Sequence, residues 1–252
     1  MRKYNLLKFI IAVSILASCS QSPTVPLPSA TAPLPYQKTS VIEYPPLDWS
    51  INAQRLSQTE CVGKLPESCT ELIALGCDEI SGPGFYLGGL QPPYAVMECI
   101  HENGEPLNKE YFKQLDGLDS RYRSYAIFLD GKYRLIIKRS EFKEIFAPVE
   151  STDEAISYAM AMTSLRARFD IDPNAKVDYL VDVIEETHAE ETPDGYLVYL
   201  FDWSHKMGCD IHPFYAVKAL VTRDGDVHEV ERKEIYSSYA CFDFEALTLD
   251  GN

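Results

Sequence analysis

Three things are scarce in this 252-residue chain. Positive charge is the first: 23 Lys and Arg stand against 38 Asp and Glu, for a formal net charge of −15. A field of that sign repels phosphate backbones and anionic headgroups, which argues against nucleic acid and against electrostatic docking to a membrane, and leaves a protein or basic ligand as the partner to expect. Long apolar runs are the second. The stretch Phe9 to Leu16 falls well short of the ~20 residues a membrane-spanning helix needs. Catalytic signatures are the third: there is no Gly-x-Ser-x-Gly elbow, His-Glu-x-x-His pair, phosphate loop or dinucleotide fingerprint. The expectation is therefore a non-catalytic protein with no cofactor.

The chain does carry an address at its front. Arg2, Lys3 and Lys8 precede the apolar run, and the small pair Ala17-Ser18 precedes Cys19. Basic end, apolar middle and small-residue cut site are the order of a secretory signal. Leu16-Ala17-Ser18-Cys19 resembles the lipobox of bacterial lipoproteins, in which the cysteine becomes a lipidated N-terminus. That resemblance implies residues 1–18 as a signal peptide, cleavage before Cys19, and acyl chains on its sulfur as the link to a membrane of the cell envelope. Two or more chains, at about 0.8 kcal/mol per buried methylene, make a stable anchor. Ser20 resembles the outer-membrane sorting pattern of the Gram-negative family, facing the periplasm or the exterior. Losing residues 1–18 removes three cations and takes the formal charge from −15 to −18.

Six cysteines remain after Cys19: Cys61, Cys69, Cys77, Cys99, Cys209 and Cys241. In an oxidising compartment an even number reads as three disulfides. Their grouping makes Cys209 with Cys241 the simplest distal pair and leaves the connectivity of the first four open. Their spacings do not match the short pairs of zinc sites.

Residues 19–48 are rich in Pro, Ser, Thr and Ala and read as a linker behind the lipidated cysteine. Residues 49–148 read as a disulfide-stapled α+β region. It holds a short stapled helix from Pro66 to Gly76, a strand at Tyr94–Cys99, and a hairpin on Asp130-Gly131, whose dipeptide suits a type I′ turn. A short helix follows at Ser140–Phe146. Residues 149–252 read as one helix and four antiparallel strands. Ser151-Thr152-Asp153-Glu154 is a capping box opening a helix to about Arg168, with Ile156, Ala159, Met160, Thr163 and Ala167 on one packing face. Strand-like runs follow at Val177–Thr187, Tyr196–Trp203, Phe214–Thr222 and Val227–Tyr236, with Asp-Gly turns at Asp194-Gly195 and Asp224-Gly225. The expected class is α+β, a helix laid on an antiparallel meander, and the element order resembles cystatin-like and PepSY-like layouts.

The connection Ser204–Pro213 is too long for a tight turn and carries His205, Cys209 and His212, so it is the first loop to test for function. Two imidazoles and a thiolate could hold copper or zinc. A disulfide on Cys209 removes the thiolate, so no metal is favoured and His205 and His212 stay secondary candidates. His101, His188 and His228 stand alone and are expected at the surface. Glu185, Glu186, Glu190 and Glu191 could supply a carboxylate pair, and Asp130, Asp224 and Asp226 are better explained by turns than by calcium. Tyr196, Tyr199, Tyr215, Tyr236 and Tyr239 are expected mostly as cross-strand packing partners. Three functions fit these readings: a surface-anchored lipoprotein with a binding or scaffolding role, a copper- or zinc-handling protein working through residues 204–213, and an inhibitor or chaperone of an exported protease.

Overall fold

The computed structural model describes residues 39–48, 50–57, 59, 61, 69–83, 85–101, 110–112, 122–175, 177–203 and 208–242. Cys19 and His205 lie outside them. The elements are β1 (Ser40–Ile42), α1 (Ser50–Leu56), α2 (Thr70–Ala74), β2 (Glu79–Pro83), β3 (Ala95–His101), β4 (Tyr122–Leu129) and β5 (Lys132–Ile136). There follow α3 (Arg139–Phe146), α4 (Thr152–Met162), β6 (Val183–Glu185), β7 (His188–Thr192), β8 (Gly195–Trp203), β9 (Gly208–Thr222) and β10 (Val227–Phe242). Two four-stranded antiparallel sheets run β2-β3-β4-β5 and β10-β9-β8-β7, and β1 pairs in parallel with β6. The class is α+β.

Period-two alternation sends each strand's side chains to two different cores. In the first sheet, Val96, Tyr125, Ile127 and Ile136 face a central core, while Met97, Cys99, Ala126 and Tyr133 face a second one with Leu72 of α2. In the second sheet, Val198, Leu200, Val217 and Ala219 join the central core, and Phe201 and Ile235 face a third with Val181 and Ile184. The central core is filled by α3 and α4, so α4 lies between the sheets. Every residue from Glu154 to Met162 is buried. The single packing face expected for this helix is thus a correction: a helix covered on both sides has no polar stripe to show.

The helix is also shorter than expected, ending at Met162 with Thr163 extended. Its orphan carbonyls explain the stop. Tyr125 Oη donates to Ala161 O at 3.0 Å, Arg139 donates to Met162 O, and Arg123 donates to Thr163 O. Arg166 then turns back to bridge Phe201. At the other end Ser151 Oγ accepts the Glu154 N–H at 3.2 Å, as a capping residue does. The Glu154 carboxylate accepts the N–H of Glu150 at 2.8 Å, one residue upstream of the expected partner.

Glu154 is 1% exposed, its Oε1 has no hydrogen-bond partner among the described residues, and burial raises its carboxyl pKa. A raised folded-state pKa means that folding favours the protonated form. The cost of burying the charge is absent below the ordinary glutamate range and complete above the raised value. Glu154→Gln, whose amide oxygen keeps the Glu150 bond, is expected to gain stability relative to the native chain as pH rises through that window. Urea melts at several pH values check this, and a pH-independent difference contradicts it.

The hairpin on Asp130-Gly131 has positive φ at both residues, 53° and 78°, as a type I′ turn requires. The other two Asp-Gly turns close hairpins with only the glycine at positive φ. The expected strand at Val177–Thr187 is largely irregular, with β6 alone inside it, because this stretch lies over the second sheet as a cover.

Candidate functional site

The six downstream cysteines form three pairs, Cys61–Cys69, Cys77–Cys99 and Cys209–Cys241. Cys69 and Cys77 flank α2 and bond outward from it, so each end of this five-residue helix is held by its own bridge. The third bridge crosses between β9 and β10. Extrapolating from the Asp224-Gly225 turn would set Tyr239 opposite Cys209. Register shifts at Glu229/Glu231 and Glu234/Tyr236 each add one residue to β10 and bring Cys241 there instead.

Residues 204–213 are therefore not one long loop, since β9 already begins at Gly208. Beyond Trp203, which pairs with Phe214, residues 208–213 and 237–242 continue as a two-stranded ribbon past β8. Ile211 and Tyr239 face each other across it at 55% and 71% exposure. His212 is fully buried, with Nε2 3.1 Å from Ala240 O, and Cys209 offers no thiolate. No group of three or more metal-ligating side chains occurs among the described residues.

Two histidines expected at the surface are buried, His101 at 5% and His188 at 7% exposure, while His228 is exposed. His101 stacks on Tyr122 at 4.3 Å, and its Nε2 lies 2.7 Å from Ser124 Oγ. Burial lowers its pKa. That distance suits a nucleophile and base, but Ser124 is fully buried and no substrate can reach it.

His188 is the better-built centre. Its ring lies between Tyr44, 3.6 Å away and nearly parallel, and Tyr199, at 4.0 Å. Nδ1 is 2.7 Å from Glu186 O, and Nε2 is 3.6 Å from Glu185 and 3.7 Å from Glu190. The β7–β8 hairpin sets His188 opposite Tyr199, and β1 delivers Tyr44. Glu186 accepts the N–H of Ile171 at 2.9 Å and of Tyr44 at 3.2 Å, so it clasps the incoming chain. Of the four candidate carboxylates, Glu185 and Glu190 face one imidazole, and Glu191 pairs with Arg223 at 2.5 Å.

Beside this stack, beneath β6, is a hollow of about 130 Å³ lined by Val181, Ile184, Glu185, Tyr199, Lys218 and Lys233 among others. The turn carboxylates are spoken for: Asp226 and Asp224 sit 2.7 Å and 3.5 Å from Lys143, tying α3 to the β9–β10 turn. Of the five tyrosines, Tyr236 stacks on Phe214, Tyr199 on His188, and Arg223 and Arg232 lie over Tyr196 and Tyr215. Tyr239 alone of the five is open.

No family model, curated protein or solved structure matches this chain.

Proposed function

We propose that this chain is an exported bacterial lipoprotein, cut before Cys19, held to the envelope by lipid on that sulfur, and built to bind a partner rather than transform one. The observation that carries the anchor is cysteine pairing. Of seven cysteines, six close on one another in three bridges, which leaves Cys19 as the odd thiol and calls for an oxidising compartment. Bridges of this kind typically contribute 2–4 kcal/mol each and hold a body that must stand outside the cell. Between the Cys19 sulfur and β1, residues 20–38 carry five prolines and serve as a spacer; the expected linker to residue 48 is shortened because residues 40–42 pair with β6.

Binding is supported by the stapled ribbon, which carries Ile211 and Tyr239 into solvent on a paired, covalently closed scaffold. The net charge near −18 after cleavage favours a partner with a basic surface and predicts weaker association in salt. Cys19→Ser tests the anchor: the native chain is expected in the membrane fraction and the variant in the soluble fraction of the envelope. Equal membrane retention of both would refute lipidation at this residue, and steady turnover of a substrate by the purified protein would refute a binding role.

A further inference from the structure

The three bridges differ in what surrounds them. Cys61, Cys69, Cys77 and Cys99 are between 1% and 6% exposed and share a core with Leu72, Met97 and Tyr133. Cys209 and Cys241 are both exposed. Cys209 faces Cys241 and Ile211 faces Tyr239 with no register shift between the two pairs, so period-two alternation sets the bridge and these two apolar side chains in adjoining rows on one face of the ribbon. Burial agrees with that assignment. All four residues are exposed, whereas on the other face His212 is buried and Asp210, Ser238 and Ala240 are half-buried.

Support from neighbouring strands differs too. Beyond Trp203 and Phe214, residues 208–213 and 237–242 pair with each other and with no third strand among the described residues. A two-stranded ribbon is marginal in water, so closing this one falls to the Cys209–Cys241 bond and to contacts such as that of His212 Nε2 with Ala240 O. The other two bridges sit in a core that a four-stranded sheet also holds.

We propose that Cys209–Cys241 is a thiol–disulfide exchange site, reduced by a protein dithiol that docks on Ile211 and Tyr239, and that its reduction releases the ribbon. Exchange needs a thiolate to reach a sulfur, and access is what separates this bridge from the other two. In the first step a partner thiolate bonds to one sulfur of the bridge, and the other sulfur leaves as a thiolate. In the second, the partner's remaining thiolate attacks the mixed disulfide and frees the bound cysteine. Two electrons and two protons pass to this chain: the partner departs as a disulfide, and Cys209 and Cys241 are left as thiols. The apolar row beside the bridge favours a protein as the reductant, since a small dithiol has no surface with which to cover it. The docking deepens the binding role put forward above and rests on it; the exchange chemistry does not.

The full-length protein, without denaturant, is treated with dithiothreitol or with reduced thioredoxin as the protein dithiol; free thiols are alkylated at intervals and the peptides mapped. With either reagent Cys209 and Cys241 are expected to be labelled on the order of tenfold sooner than the four buried cysteines. Replacing Ile211 and Tyr239 together by Ala, at exposed positions that leave the core intact, is expected to slow thioredoxin on the order of tenfold and to leave dithiothreitol unchanged. Hydrogen exchange is expected to quicken on reduction at 208–213 and 237–242 and to stay slow at 214–222, where β8 pairs. Labelling of all three bridges together, or of a buried one first, overturns the exchange site. An unchanged thioredoxin rate in the Ile211→Ala/Tyr239→Ala variant overturns the docking, and unchanged hydrogen exchange on reduction overturns the release. The anchor is judged separately by Cys19→Ser.

Discussion

Phe142→Ala is expected to lower the free energy of unfolding by about 3–5 kcal/mol, enough to bring a protein of ordinary stability close to its threshold. Phe142 is fully buried on α3 and sits within 6 Å of four other rings. Tyr125 at 5.3 Å belongs to the first sheet, Tyr158 at 5.5 Å to α4, Phe146 at 4.5 Å to α3 itself, and Phe112 at 5.8 Å to the segment before β4. Truncation removes the shared partner of all four and opens a cavity in a core with two sheets on its flanks, where little can move in to fill it. Phe142→Leu keeps most of the volume and is expected to cost less than half as much. Urea unfolding of the three proteins, with disulfides intact, measures the differences. A loss below 1 kcal/mol for the alanine variant would show that the central core is not continuous through Phe142.

Arg123→Ala comes next, at about 3–5 kcal/mol, for an electrostatic reason. Arg123 and Glu98 are 5% and 6% exposed and meet at 3.3 Å on the central-core face of the first sheet. The same guanidinium donates to the carbonyls of Ala161 and Thr163, where α4 ends, and lies over Tyr125 at 5.4 Å. Removing it takes a cation from a buried carboxylate and donors from the last turn of the helix together. Arg123→Lys is expected to recover only part, because an ammonium cannot serve carboxylate and carbonyls with one planar fork. Arg123→Met combined with Glu98→Met is expected to be far milder than Arg123→Ala, since a buried pair stabilises little compared with an apolar replacement while a broken one costs a great deal. Equal losses in the single and double variants would contradict this reading.

What the sequence made legible was local. Asp130-Gly131 announces its turn because two adjacent residues must both reach positive φ. Ser151 announces a helix start because its hydroxyl reaches a backbone donor three residues on. The long pairings left no such mark. β1 and β6 join across more than 140 residues, as the Thr39 Oγ1 to Val181 O bond illustrates, and no periodicity encodes that contact. For α4 the pattern was misleading: burial between two sheets erased the polar face by which an amphipathic helix is recognised.

The candidate sites divide the same way. His188 could have been found, because folding β7 onto β8 about their Asp194-Gly195 turn sets it opposite Tyr199. Tyr44, the other half of the sandwich, arrives from β1 and could not. Cys241 opposite Cys209 is hidden differently. Counting from the turn predicts Tyr239 there, and the two bulges that correct the count follow no residue rule strong enough to read. The hollow beneath β6 is lined by residues of β6, β8, β9 and β10, and no spacing within the chain announces that they meet.

The anchor and the three staples all depend on what becomes of the seven cysteine sulfurs. Peptide mapping of protein purified from membranes, without reduction, reads them all at once. Expected are a chain beginning at an acylated residue 19 and cross-linked peptides joining 61 to 69, 77 to 99 and 209 to 241. An intact front end with Cys19 bare, or free thiols at the downstream positions, would contradict it.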